Sequence, residues 1–262
     1  MAARCWERRL ALFVIGGLSV VAPARIHAMT TATVTVAIRG QNQSLRTYGT
    51  RGPLMALVAS GDGGWIHLGP EMAEFLAAQG YFVVGLDSKA YLASFTDGAK
   101  TLTTADVPND FGTLIDYLRG GGAARVLLVG VSEGAALAVL AAADERVKAK
   151  LAGVIGLGLP DQAELGWRFR DSIIYVTKGV PKEPLFSSAA FVAKVAPLPL
   201  VAIQSTHDEF VPQADIDRVM ASAVEPKRLW MIEAPNHRFG GRATELQQRM
   251  LEAIAWIRQQ YQ

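Results

Sequence analysis

The chain has 262 residues, half of them hydrophobic and 19% charged, enough apolar material for one large folded domain and against disorder. Its formal charge of +2 falls to −1 without residues 1–28, because four of the 26 basic residues (Arg4, Arg8, Arg9, Arg25) and one of the 24 acidic residues (Glu7) lie there. The remainder has no basic excess and no long run of like charge, which removes nucleic acid as an expected partner.

Residues 1–28 read as a signal peptide. Arg4, Arg8 and Arg9 precede the apolar run Leu10 to Val21, and two small-residue exits follow, so cleavage is expected after Ala24 or Ala28. The alternative is an uncleaved N-terminal anchor, for which the apolar run is short. The expected location is the periplasm or outside the cell. The one cysteine, Cys5, precedes the apolar run. A processed chain 29–262 would therefore carry no disulfide, cysteine nucleophile or thiolate metal site.

From residue 29 onward the chain reads as a single domain. Thr31 to Ile38 alternates as a strand, and Pro53 to Ala59 is a second, more apolar one. Glu71 to Gln79 reads as a helix stopped by Gly80, followed by a strand over Tyr81 to Leu86. Ala105 to Leu118 places Val107, Phe111, Leu114, Ile115 and Leu118 on one helical face, ended by Gly120-Gly121-Gly122. Ala124 to Val129 is a buried strand, and Ala135 to Ala143 is rich in helix formers. Further strands are expected over Leu151 to Leu157, Leu198 to Gln204 and Lys227 to Glu233, with helices over Asp215 to Ala223 and Thr244 to Gln260. Such alternation implies an α/β architecture, a mostly parallel central sheet with helices on both faces. Asp161 to Lys194 breaks the alternation and suggests a small cap or insertion.

Between the expected strand Ala124 to Val129 and the expected helix Ala135 to Ala143 lies Gly130-Val131-Ser132-Glu133-Gly134. Chance supplies this pentapeptide in roughly one chain in ten of this composition, so its context carries the assignment. Strand, Gly-x-Ser-x-Gly, helix is the setting of a nucleophile elbow. A serine hydroxyl needs a base and an orienting acid to attack at neutral pH. His237 follows the last strand and Asp208 the one before it, so the order Ser132, Asp208, His237 is that of α/β-hydrolases. Glu209 is the reserve acid, and His207 a neighbouring or surface residue. Each also has a structural reading: a turn for Ser132, a helix cap for Asp208, a loop histidine for His237. The glycine-rich run Ser60-Gly61-Asp62-Gly63-Gly64-Trp65 can bring backbone N–H groups close to a ligand. Oxyanion donors are therefore placed at the backbone of Asp62 and of Glu133. The run lacks the Gly-Lys-Ser/Thr ending of a phosphate loop, and no metal-ligand spacing occurs. Neither a cofactor nor a metal is expected.

Ser60 to Trp65, then Val83-Val84-Gly85-Leu86-Asp87-Ser88, then the serine elbow, resemble the VirJ/AcvB bacterial virulence family of α/β-hydrolases over roughly Leu54 to Phe239. The resemblance implies a periplasmic hydrolase of aminoacylated phosphatidylglycerol, a lysyl ester of a membrane lipid. Two departures lie where substrate would be gripped. The family usually continues after Asp87-Ser88 with an aromatic-rich, Arg-Thr-Pro-containing segment where this chain has Lys89 to Thr96, and Glu133 stands where an aromatic is usual. Gly61, Trp65, Lys89 and Tyr91 are accordingly the expected substrate-binding residues. Glu133 or Asp62 is weighed as a holder of an aminoacyl ammonium group.

The expected function is an exported serine esterase on a small-molecule or lipid ester, with peripheral membrane contact in the lipid case. The rival is a non-catalytic periplasmic binding or secretion-accessory protein on the same fold. A peptidase or thioesterase on the same three residues stays open, as does the oligomeric state.

Overall fold

The computed structural model describes residues 31–168 and 183–260, so the expected signal peptide lies outside the described residues. The chain enters as a hairpin of β1 (Thr31–Ile38) and β2 (Gln41–Tyr48). Arg39 and Gly40 turn it with φ of 47° and 81°, the doubly left-handed turn that suits twisted strands. The next elements are β3 (Met55–Ala59), α1 (Leu68–Ala78), β4 (Phe82–Leu86), α2 (Ser88–Ser94) and α3 (Asp106–Arg119). They are followed by β5 (Val126–Val131), α4 (Glu133–Ala142), α5 (Glu145–Lys148) and β6 (Leu151–Leu157). After the insertion come β9 (Leu200–Ser205), α7 (Gln213–Ser222), β10 (Lys227–Ile232) and α8 (Ala243–Gln259).

Eight strands form one sheet in the order β1-β2-β4-β3-β5-β6-β9-β10. Only β2 runs against the rest, pairing antiparallel with β1 and with β4; from β4 to β10 every pairing is parallel. The mostly parallel, doubly covered sheet expected from the alternation is therefore the observed one. Phe111, Leu114, Leu137 and Leu140 of α3 and α4 fill one face, and Met72, Leu76, Ile254 and Ile257 of α1 and α8 the other. Each such side chain, removed from water, contributes about 1.5–3 kcal/mol. The strands β3, β5 and β9 are buried along their whole length, as central parallel strands must be.

The interruption over 161–194 contains, among the described residues, a two-stranded antiparallel ribbon, β7 (Gln162–Glu164) with β8 (Leu185–Ser187), then α6 (Ser188–Phe191). Asp161 anchors it: its carboxylate accepts from Ser187 Oγ at 2.6 Å, Ala189 N–H at 3.1 Å and Arg218 of α7 at 2.7 Å. Elements absent from the sequence reading include β2 and α2. In β2 a polar sequence hides Gln43, Leu45 and Thr47 at alternating buried positions. In α2 the carboxylate of Asp87 caps the helix by accepting the Ala90 N–H at 3.0 Å.

Candidate active site

The strand β5 ends at Val131 and α4 starts at Glu133, leaving Ser132 alone between them at φ 52°, ψ −120°. A non-glycine residue held there stores roughly 1–3 kcal/mol. Close approach explains both flanking glycines. A Cβ on Gly130 would lie 2.3 Å from the Gly134 carbonyl oxygen, and one on Gly134 would lie 2.3 Å from that of Ser60. The turn Ser60-Gly61-Asp62 is thereby pressed against the elbow, and a Cβ on Gly61 would stand 3.3 Å from Ser132 Cβ. Among the described residues neither the Asp62 nor the Glu133 backbone N–H has an acceptor, so both remain available to an incoming oxyanion.

Asp208 leaves β9 with its carboxylate fully engaged. Oδ1 accepts from the Phe210 and Val211 N–H groups at 3.0 and 2.8 Å, and Oδ2 accepts from Gln204 Nε2 at 2.8 Å. Oδ2 also lies 2.7 Å from His237 Nδ1. That bond fixes the imidazole so that Nε2 is the free nitrogen, the arrangement a general base needs. Glu209 does not compete for the ring; its carboxylate accepts the His237 backbone N–H at 2.7 Å and so holds the loop. His207 turns toward Thr206 and the Ala234 carbonyl. Phe210 stands edge-on to the His237 ring, centroids 5.6 Å apart.

Ser132 and His237 line one cavity of about 280 Å³ together with Gly61, Asp62 and Lys89. That volume sits at the small end of ligand sites. Only a limited part of a substrate is enclosed, and the exposed Ile66 and Phe210 mark where the rest would emerge.

Two residues expected at the substrate face are elsewhere. Tyr91 is fully buried, its hydroxyl donating to Asp110 at 2.7 Å while Arg39 grips the same carboxylate through two 2.7 Å bonds. Burial, and then Asp110, push its phenol well above its ordinary pKa. Tyr91 ties α2, α3 and the first hairpin together. Trp65 lies flat on β4, where a Cβ on Gly85 would collide with its ring, and its indole N–H donates to Tyr48 at 3.1 Å. It seats the glycine-rich turn and does not line the cavity. Glu133 divides by atom. Its N–H is at the elbow, but its carboxyl is buried and accepts the Glu164 N–H of β7 at 2.7 Å. Burial first, then the charges of Asp62 and Glu164, push its pKa well up. It fastens the insertion to the elbow, and cannot hold an ammonium group in a cavity it does not line.

Missing from the sequence reading were Ile66, His67, Trp167, Phe210 and Arg238, all lining the cavity. Phe210 and Arg238 follow Asp208 and His237 within two residues, which was the available signal. Trp167 comes from the insertion and carried none.

The sheet order, the strained serine after β5, and acid and histidine after β9 and β10 define an α/β-hydrolase fold. Solved structures agree. They include an esterase of Pyrococcus furiosus (TM-score 0.65, 17% identity, 87% of this chain and 91% of that one) and the α/β hydrolase GrgF of Penicillium sp. sh18 (0.62, 14%, 86% and 97%). A dienelactone hydrolase of Anabaena variabilis is similar too (0.62, 17%, 87% and 98%). A search of curated proteins found no match. The chain belongs to the VirJ family of bacterial virulence proteins, whose model matches residues 53–255.

Proposed function

We propose that this VirJ-family chain is a serine hydrolase of carboxylic esters. Ser132 Oγ attacks the ester carbonyl, His237 takes its proton and returns it to the leaving alcohol, and Asp208 stabilises the imidazolium that forms between. The N–H groups of Asp62 and Glu133 receive the oxyanion. Water, activated by the same histidine, then releases the acid. The observation that carries this reading is the strained Ser132 sharing a cavity with a histidine already fixed by a buried carboxylate.

A fluorophosphonate probe on the purified protein should label Ser132, and Ser132→Ala should lower ester turnover by at least about a thousandfold with folding intact. Unlabelled Ser132 together with no ester turnover above background would leave the rival, a binding protein on a hydrolase fold, in possession, and turnover unchanged in the variant would remove Ser132 as the nucleophile. Within the ester class, family membership makes aminoacyl (lysyl) phosphatidylglycerol the first lipid to assay, with Asp62 the one lining carboxylate among the described residues able to meet its ammonium group. Equal hydrolysis of lysyl and neutral acyl esters would remove that substrate. The arginine-flanked apolar segment at residues 4–21 supports export to the periplasm or beyond, which fractionation of the full-length protein would test.

A further inference from the structure

Among the described residues some surface cations are ion-paired and others, such as Lys100 and Arg242, are not. Arg39, Arg146, Lys150 and Arg218 each have a carboxylate within 3.2 Å. Lys89 and Arg238 have no carboxylate partner among the described residues, and both line the cavity beside Ser132 and His237. Lys89 is half-buried, and its ammonium lies 4.4 Å from the ring centre of Trp167, an aromatic face that attracts the charge without neutralising it. The lysine stem runs past Gly64, where a Cβ would stand 3.5 Å from its Cδ, so the amine is delivered from the oxyanion turn's side. Arg238 comes from the opposite loop, its exposed guanidinium one residue beyond His237. Two cations without an ion pair among the described residues thus approach one small cavity from two elements.

His67 supplies a second, independent indication at the same mouth. It precedes α1 at φ 53°, ψ −122°, in the left-handed half of backbone space that a histidine enters only under strain. Its side chain makes no capping hydrogen bond, so helix formation does not account for it. The strain holds an exposed imidazole, a hydrogen-bond donor, at the cavity lining. The N-terminus of α1 adds its partial positive charge at the same place. Asp62 is the lone carboxylate in the lining among the described residues, where cationic groups outnumber it.

We infer that Lys89 and Arg238, with His67 beside them, form an anion subsite, and that the ester cleaved at Ser132 carries a carboxylate or phosphate close to its scissile bond. This deepens the hydrolase reading and rests on it for the turnover part only. The anion of the substrate would lie across the mouth between Lys89 and Arg238, with its ester carbonyl at the elbow and any apolar remainder over Ile66 and Phe210.

The test uses two ester pairs that differ in charge. One is p-nitrophenyl hemisuccinate against p-nitrophenyl butyrate, with the anion on the acyl side as a carboxylate. The other is monobutyryl glycerol phosphate against monobutyrin, with the anion on the alcohol side as a phosphate. The protein should favour the anionic member of at least one pair in kcat/KM, and the Lys89→Met/Arg238→Leu double variant should reduce that preference by about tenfold or more. Whichever pair discriminates identifies the anion's chemistry and side. Calorimetric titration of succinate and of glycerol phosphate provides a readout that needs no chemistry at Ser132, and binding of either should weaken in the double variant. Turnover with no charge preference and no anion binding would overturn the subsite while leaving the hydrolase. Anion binding lost in the double variant, with no ester cleaved, would keep the subsite and sink the hydrolase. A preference that survives in the double variant overturns the assignment to these two residues.

Discussion

Ser132 and His67 share one backbone conformation, φ/ψ 52°/−120° and 53°/−122°, and each stands immediately before a helix. Their surroundings are opposite. Ser132 sits between a fully buried strand and a helix in which all ten residues are buried, with Gly130 and Gly134 stripped of side chains so that the turn can close. His67 follows the exposed Ile66 and opens a helix that buries one face alone, chiefly through Leu68, Met72, Phe75 and Leu76. Its turn is held by the seat of Trp65 on β4 and by the Trp65 N–H donating to Asp87 at 3.1 Å. At Ser132 packing from every side dictates the strained backbone. At His67 far fewer contacts do, and the cavity is what the residue gains by being there.

Replacing the strained residue by glycine separates strain from chemistry at each place. Ser132→Gly has the largest expected effect: loss of at least about a thousandfold in ester turnover, as for alanine. Unlike alanine, it should raise stability. Glycine adopts φ > 0 without the Cβ penalty of roughly 1–3 kcal/mol, against an entropic loss of about 0.5–1 kcal/mol in the unfolded chain. Thermal melts of the glycine and alanine variants side by side measure the difference. Equal melting temperatures would mean that the elbow stores no strain at Ser132.

The same contrast explains what the sequence made legible. Around Ser132 every local signal agrees: an apolar β-branched run, two glycines, a run of alanines and leucines, and partners in chain order after β9 and β10. The opposite wall has no such consistency. Trp65 and Tyr91 are expected at the substrate because they lie in the glycine-rich run and in the segment after Asp87-Ser88. Their sockets lie about twenty residues on, at Gly85 and Asp110, and only the fold brings them together. The strand β2 was missed because Gln43 and Thr47 occupy buried positions that pattern reading assigns to apolar residues. Trp167 and Arg238 reach the cavity from loops, where no periodicity marks a direction.

Glu133 gives the comparison a pH axis, since it joins the rigid elbow to the insertion that carries Trp167. Its carboxyl is desolvated and faces the charges of Asp62 and Glu164, so its pKa in the folded protein lies well above the ordinary carboxylate value. Below that ordinary value both folded and unfolded chains are protonated, and Glu133 stabilises fully. As pH rises above it, the unfolded chain releases the proton while the folded one keeps it. Stability is lost through this window, at up to about 1.4 kcal/mol per pH unit, until the raised pKa is passed. Glu133→Gln keeps an oxygen for the Glu164 N–H and has no proton to lose. Denaturant titrations across pH should show the variant level with the parent at low pH and progressively more stable above it. Parallel profiles would mean that the elbow carboxyl titrates normally.

His67→Gly should have the smallest effect, and it decides whether the second strained residue belongs with the first. Relief of strain less the cost of glycine leaves a net stabilisation of about 1 kcal/mol, visible as a modest rise in melting temperature. If the imidazole helps Lys89 and Arg238 hold an anion, the preference for anionic over neutral esters should fall severalfold in the same variant. A higher melting temperature with unchanged preference would make His67 a strained residue without a ligand. A lower melting temperature would show that the ring contributes packing its exposure does not reveal. Only gain of stability together with loss of charge preference is what a binding residue held at a conformational cost should give, as Ser132 gives for the reaction itself.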